Sequence, residues 1–286
     1  MSNAIATNTS ANSAVSYLSR NSDMQAASSG KLSSGSRIVK ASDDAASLAV
    51  GTKLKADVTA LKQAGNNASQ ASSMLQVADG ALANISDTLV RMKSLATQAN
   101  SDVLSDTERG YLNEEFTEMQ DQVDFIVSST KFNDVAVLDG TFESDEAVFQ
   151  VGVTAGDGAG GSNDEIAIEI KNASLAELDS ATGTIDADAI DTKENAAKAS
   201  ANLDAAIEDI NTRRATLGSQ MSRFEKISEN IATTSENLDA ARSTLMDVDV
   251  AAEMSEFSKN QVMTQAATAM LAQANQLPQN LMRLMQ

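Results

Sequence analysis

Neither cysteine, histidine nor tryptophan occurs in the 286-residue chain, which has a single proline and only two tyrosines. Without histidine or cysteine, the commonest metal ligands, general bases and thiol nucleophiles are missing. A disulfide scaffold is excluded, and the redox compartment stays open. No cofactor and no metal are expected. Aromatic residues make up 3% of the chain, so any core is thin and built from small aliphatic side chains. No run of about 18 apolar residues exists to span a membrane. Residues 1–20 are polar and lack the apolar core and cleavage pattern of a signal peptide. By general secretion rules such a chain stays inside the cell, unless export reads a signal in an unfolded N-terminus.

Charge of one sign dominates: the net charge is −19. It is unevenly placed. Residues 1–60 carry six Lys or Arg against four acids, and residues 251–286 carry two of each, so the middle holds all of the excess acidity. Near-neutral ends can associate closely without self-repulsion, and an acidic middle suits a solvated surface. An acidic chain with no basic aromatic patch argues against a nucleic-acid partner.

What the chain has in abundance is helical periodicity. From Val50 to Val103 an apolar or small residue recurs at alternating steps of three and four, through Leu54, Leu61, Ala64, Ala68, Ala71, Leu75, Ala78, Leu82, Ile85, Leu89, Met92, Ala96 and Ala99, with one break at Asp57. A 3.5-residue period keeps one seam facing a partner helix along its length. Ser42 is the expected N-cap of this helix, with Asp43 and Asp44 in its first turn. Ahead of it, residues 4–34 place Val15, Leu18 and Leu32 on one face, with Ser22, Gln25 and Ser29 between them, and Ser33 to Ser36 break the helix. Beyond a turn at Asp102 to Asp106, Leu112, Phe116, Met119, Val123 and Ile126 form a further stripe.

After Lys131 the period falls to two. Residues 135–138, 148–153 and 166–170 read as short strands, separated by turns at Asp139-Gly140 and the glycine-rich run Gly156 to Gly161. Residues 172–195 read as a loop. Helical period returns from Leu203 to Val248. It recurs in a last segment through Met263, Ala267, Met270, Ala274, Leu277, Leu281 and Leu284, where Pro278 is expected to end or kink the helix. The predicted fold is mainly α with a small β insert. Long antiparallel helices form a coiled-coil-like bundle with a β-hairpin region, and the termini are disordered in a monomer and order only against neighbours. The predicted organisation is a terminal-helix domain of residues 1–40 and 250–286 and a helical rod domain of residues 41–249, with the β insert at about 132–171.

Several of these stretches resemble bacterial flagellin, the subunit of the flagellar filament. They are Leu32-Ser33-Ser34-Gly35-Ser36-Arg37-Ile38 followed by Ala41-Ser42-Asp43-Asp44-Ala45-Ala46, then Gln98-Ala99-Asn100-Ser101, Lys131-Phe132-Asn133, and Leu271-Ala272-Gln273-Ala274-Asn275-Gln276-Leu277-Pro278-Gln279-Asn280. The resemblance covers about 1–170 and 200–286. It implies a short form lacking the outer variable domains, with the terminal helices in the inner tube of the polymer. It also implies export without cleavage by the flagellar type III pathway, and hence an extracellular address on the flagellum. The implied partners are further copies of the chain, the hook–filament junction and cap proteins, a flagellar export chaperone and the animal receptor Toll-like receptor 5. Assembly contacts are then expected at Leu18, Leu32, Arg37, Met263, Met270, Leu277, Leu281 and Leu284. The receptor-recognition candidates carried over from the family are Leu89, Arg91, Leu95, Gln98 and, on the facing helix, Glu115.

Four functions compete on these grounds. A self-assembling filament subunit accounts for the weak terminal seams, and a non-propagating hook–filament junction protein would share them. An enzyme is disfavoured. The metallopeptidase insert of some flagellins needs two histidines, and the acid pairs Asp43/Asp44 and Glu114/Glu115 are sequence neighbours that point to different sides of a helix. A generic coiled-coil rod fits the periodicity but not the β insert.

Overall fold

A computed structural model describes residues 8–144, 146–154, 164–178, 185 and 189–284; of residues 144 and 277–284 it describes the backbone only. The helices are α1 (Thr9–Ser34), α2 (Ala45–Ala99), α3 (Asp106–Ser129), the one-turn α4 (Thr141–Ser144), α5 (Lys193–Met246) and α6 (Val250–Leu284). Four short strands lie between α3 and α5: β1 (Lys131–Phe132), β2 (Val135–Ala136), β3 (Ala147–Gln150) and β4 (Glu165–Ile168). The chain divides into two compact units, one formed by Met1–Ala56 with Asn237–Gln286 and the other by Asp57–Glu236.

The core of the second unit follows the heptad pattern of α2. Leu61, Ala64, Ala68, Ala71, Leu75, Ala78, Leu82, Ile85, Leu89, Met92, Ala96 and Ala99 are all buried. The pattern does not extend to its predicted last member. The helix ends at Ala99, and Val103, in the turn beyond it, is 92% exposed. Helix α5 runs antiparallel to α2, and Arg214 pairs with Asp79 at 2.9 Å while Lys93 pairs with Asp204. At every seventh position α5 supplies a core side chain: Leu203, Ile210, Leu217, Phe224 and Ile231. Helix α3 adds Phe116, Val123 and Val127.

The β region is smaller than the sequence suggests. β1 and β2 form a two-residue antiparallel ladder, with Lys131 opposite Ala136 and Phe132 opposite Val135. The two connecting residues, Asn133 and Asp134, both have positive φ, 51° and 65°. This is the backbone of a type I′ turn, whose twist matches that of paired strands and which Asn and Asp tolerate better than other side chains. Residues 137–138 leave the ladder, and both side chains are buried. β3 pairs with β4 from Ala147↔Ile168 to Gln150↔Glu165. Phe149 meets Phe224 of α5 edge to face, centroids 6.1 Å apart, which seats this hairpin on the helix. The turn at Gly156 to Gly161 lies outside the described residues.

The segment after β4 is a loop where it is described, but an anchored one. Leu175, Leu178, Ile185 and Ile190 are buried. Polar side chains of α3 hold the backbone: Gln120 donates to the Ile185 carbonyl at 2.6 Å, and Asn113 accepts from the Ile190 amide at 2.7 Å.

In the first unit, α1 and α6 run antiparallel. Asn8 donates to the Ala274 carbonyl at 2.8 Å, and Lys31 lies 3.6 Å from Glu253. Within one chain, the neighbour against which each terminal helix orders is the other. The seam keeps the predicted positions Leu18, Gln25, Leu32, Ala267 and Ala274, and the predicted positions between them are displaced by one residue. Along the seam of α1 the covered positions are Ala11, Ala14, Leu18, Asn21, Gln25, Ser28 and Leu32, with Gly30 and Lys31 half-buried beside it and Val15 exposed. On α6 they are Glu253, Phe257, Asn260, Thr264, Ala267, Leu271 and Ala274, with Met263 half-buried, while Met270 is 64% exposed. Both series alternate steps of three and four, and every second position coincides with the predicted seam. Pro278 does not end α6, which runs to Leu284.

Candidate assembly and recognition surfaces

The junction between α1 and α2 is tied to the end of α5 within the first unit. Gly35, in the left-handed conformation at φ 69°, closes α1. The next residues pair with the chain leaving α5. The Arg37 amide donates to the Met246 carbonyl at 2.6 Å, the Val248 amide donates to the Gly35 carbonyl at 3.1 Å, and Ser36 and Asp247 form an antiparallel bridge. The Arg37 guanidinium donates to the Leu245 carbonyl at 2.7 Å, one of the last carbonyls of α5, where a cation also meets the negative end of the helix. Arg37 is therefore engaged inside its own chain.

Helix α2 is capped by Asp44 rather than by Ser42. Its carboxylate accepts from the Ala46 and Ser47 amides at 3.1 and 3.0 Å, while Asp43 turns back to accept from the Val39 and Lys40 amides. The donors lower both carboxyl pKa values: for Asp43 the Lys40 and then the Val39 amide, for Asp44 chiefly the Ser47 hydroxyl and amide. Asp249 repeats the motif at α6, accepting from the Ala251 and Ala252 amides.

The predicted assembly residues fall into three groups. Leu18 and Leu32 are half-buried within the α1–α6 seam and Met263 beside it, and Arg37 and Met270 are exposed. Leu277, Leu281 and Leu284 have their backbone in α6, but their side chains lie outside the described residues. The terminal helices also expose Val15, Tyr17, Val250, Met254 and Val262, which the predicted set omits. They flank the seam on both sides, a signal hidden by the weak hydrophobic contrast of these segments.

The five receptor candidates do not form one exposed patch. Leu89 and Leu95 are buried in the α2 seam, whereas Arg91 and Gln98 are exposed. Arg91 donates both Nε, at 3.1 Å, and an Nη to Glu115 Oε1 on α3, so the two candidate charges neutralise each other across the helices. Sequence reasoning missed Arg109. It is 7% exposed, and its guanidinium donates to the Ala99 and Ser101 carbonyls, both at 2.8 Å, and to Asp106 at 2.9 Å. It satisfies the end of α2 and fixes the turn into α3, a task visible only once the chain reverses.

Long helices meeting along heptad seams, with a terminal pair that leaves several large apolar side chains exposed, define a structural protein made for helix-to-helix packing. Residues 5–143 match the bacterial flagellin N-terminal helical region and residues 200–285 the C-terminal helical region. Flagellin of Bacillus subtilis is 36% identical over 295 residues, covering 94% of this chain and 95% of its own. The flagellar filament 30.7 kDa core protein of Treponema maltophilum is 36% identical over 261 residues, covering 89% and 90%. The chain belongs to the bacterial flagellin family. A solved structure assigned to the flagellar hook-associated proteins, from Vibrio parahaemolyticus, superposes with a TM-score of 0.58 over 72% of this chain and all of that one. At 14% identity it shares the fold alone.

Proposed function

We infer that this chain is the structural subunit that self-assembles into the bacterial flagellar filament, outside the cell, for swimming motility. The observation that carries the mechanism is the exposure of large apolar side chains on the terminal helices, Val15, Tyr17, Val250, Met254, Val262 and Met270. Burying them against other copies supplies the free energy of assembly, at about 25 cal/mol per Å² of apolar surface. Residues 1–40 and 250–286 form the inner tube, where Leu18, Leu32, Met263, Met270, Leu277, Leu281 and Leu284 line helix contacts. Residues 41–249 form the layer outside it, and Arg37 secures the passage between the two. The role is structural and not enzymatic.

The hook–filament junction and cap proteins meet the same terminal helices, and an export chaperone covers them before assembly. Recognition by Toll-like receptor 5 falls on the exposed polar part of the candidate set, Arg91, Gln98 and Glu115, with Leu89 and Leu95 holding the helix beneath. Sedimentation after addition of filament seeds tests the assembly reading. Full-length chain is expected in the pellet, and chain lacking residues 250–286 in the supernatant. Pelleting of the shortened chain as long polymer would overturn the role given to the terminal helices.

A further inference from the structure

A glycine inside a helix is disfavoured against alanine by about two- to fivefold in equilibrium, so its presence there asks for a cause. A Cβ added at Gly30, Gly80, Gly110 or Gly218 would meet nothing beyond its own helix backbone within 4 Å. At Gly65 it would make an ordinary contact with Ile231, at 3.6 Å. Gly51 is different. It is buried in the second turn of α2, and a Cβ there would lie 2.5 Å from Met246 Sδ and 2.6 Å from Met246 Cγ. Those atoms lie in the middle of the methionine side chain and not at its free end, so the side chain cannot simply swing away.

Met246 is the last residue of α5, and its backbone is engaged as well as its side chain. Its carbonyl accepts from the Arg37 amide at 2.6 Å and from the Ser36 hydroxyl at 3.1 Å. The Ser36–Asp247 bridge and the bond from the Val248 amide to the Gly35 carbonyl lie directly beside it. One residue thus grips the start of α2 with its side chain and the turn after α1 with its carbonyl. Helix α1 ends at Ser34 and α6 begins at Val250, each within a few residues of this point. The helix pair continues in step from the bridge, through Lys31 beside Glu253 to Asn8 at Ala274. Pairing that starts here closes no further loop as it spreads, and each added turn rests on one already in place.

We propose that Met246 seated on Gly51 keys a clasp between the α1–α2 turn and the α5–α6 turn, and that the terminal helices pair outward from it. Gly51 is the socket, kept free of a side chain at a cost in helix stability. The consequence for assembly rests on the filament reading: a closed clasp makes the two terminal helices of every subunit leave together.

Amide hydrogen exchange of the full-length chain before assembly tests this, because the clasp reverses the usual sign of a glycine replacement. In Gly51→Ala the protection of the Arg37, Val248 and Leu32 amides is expected to fall at least about fivefold, as overpacking implies. Gly30→Ala, in open space on α1, is expected to keep or raise it. With Met246→Ala as the background the key is gone, and adding Gly51→Ala is then expected to keep or raise protection as well. The Ile190 amide of the other compact unit, held by Asn113, should stay protected throughout. Unchanged or raised protection in Gly51→Ala would overturn the proposal, and so would an equal fall in the Met246→Ala background. A fall shared by Ile190 would place the damage outside the clasp, and one that spares Leu32 would refute pairing from it; either result sinks the idea. Exchange is read on unassembled chain, so its outcome is independent of whether seeded polymer forms.

Discussion

Arg109 shows how much of this fold hangs on single polar side chains that no local pattern announces. Its guanidinium serves the Ala99 and Ser101 carbonyls and the Asp106 carboxylate from a buried position. Removing it strands carbonyls at the end of α2, so Arg109→Ala is expected to destabilise the 57–236 unit by roughly 2–4 kcal/mol, measurable by urea denaturation. Lysine should not rescue it, because one ammonium cannot reproduce a planar fork reaching three acceptors. The caps give a pH dependence. Asp43 and Asp44 at α2, and Glu108 in the Ser105 capping box of α3, have lowered pKa values because amide and hydroxyl donors favour their ionised forms. A depressed folded-state pKa contributes stability above the unfolded value and loses it as pH falls through the folded one. Fraying of the first turns of α2 and α3 is therefore expected below about pH 4. Amide hydrogen exchange at Ala46 and Ser47 reads it, and Asp44→Asn should make their protection independent of acid.

At the scale of elements, legibility tracks hydrophobic contrast. The α2 seam could be read residue by residue from Leu61 to Ala99 because Leu, Ile and Met alternate with charged and polar neighbours, and those positions are the buried ones. The existence of α1 and α6 was equally legible, but only half of their seam was: Leu18, Gln25, Leu32, Ala267 and Ala274 are covered as expected, and the positions between them lie one residue away. With Ala, Ser, Asn and Thr on every side, a shift of one position costs little in hydropathy, and Val15 and Met270 fall outside the seam they were expected to join. The strands contracted for a related reason. Residues 137–138 and 170 have the strand pattern but are buried by packing rather than paired in a ladder. The α2 seam also separates two meanings of the candidate receptor residues. Leu89→Ala is expected to lose about 2–5 kcal/mol of stability, as a fully buried leucine does. Arg91→Ala, which breaks a pair with side chains 55% and 41% exposed, should cost less than about 1 kcal/mol. Thermal unfolding beside a receptor-binding assay distinguishes them. A binding loss in Arg91→Ala at unchanged stability marks a contact, whereas a loss in Leu89→Ala that follows unfolding marks a support.

Over the whole molecule, charge and hydrophobicity are divided along the chain in the same sense. The acidic residues gather in the middle, whose core is closed by α2, α3, α5 and the hairpins. The near-neutral ends form a helix pair with a small, polar-centred seam and apolar side chains left on the outside. Family membership, recognisable from the end motifs alone, accounts for that division: the middle folds for itself and the ends are completed by other copies. The most direct test is electron microscopy of the purified full-length chain after seeding and salt-induced assembly. The account predicts regular tubes that lengthen as protein is added. Well-folded chain that stays monomeric in the presence of competent seeds would contradict it.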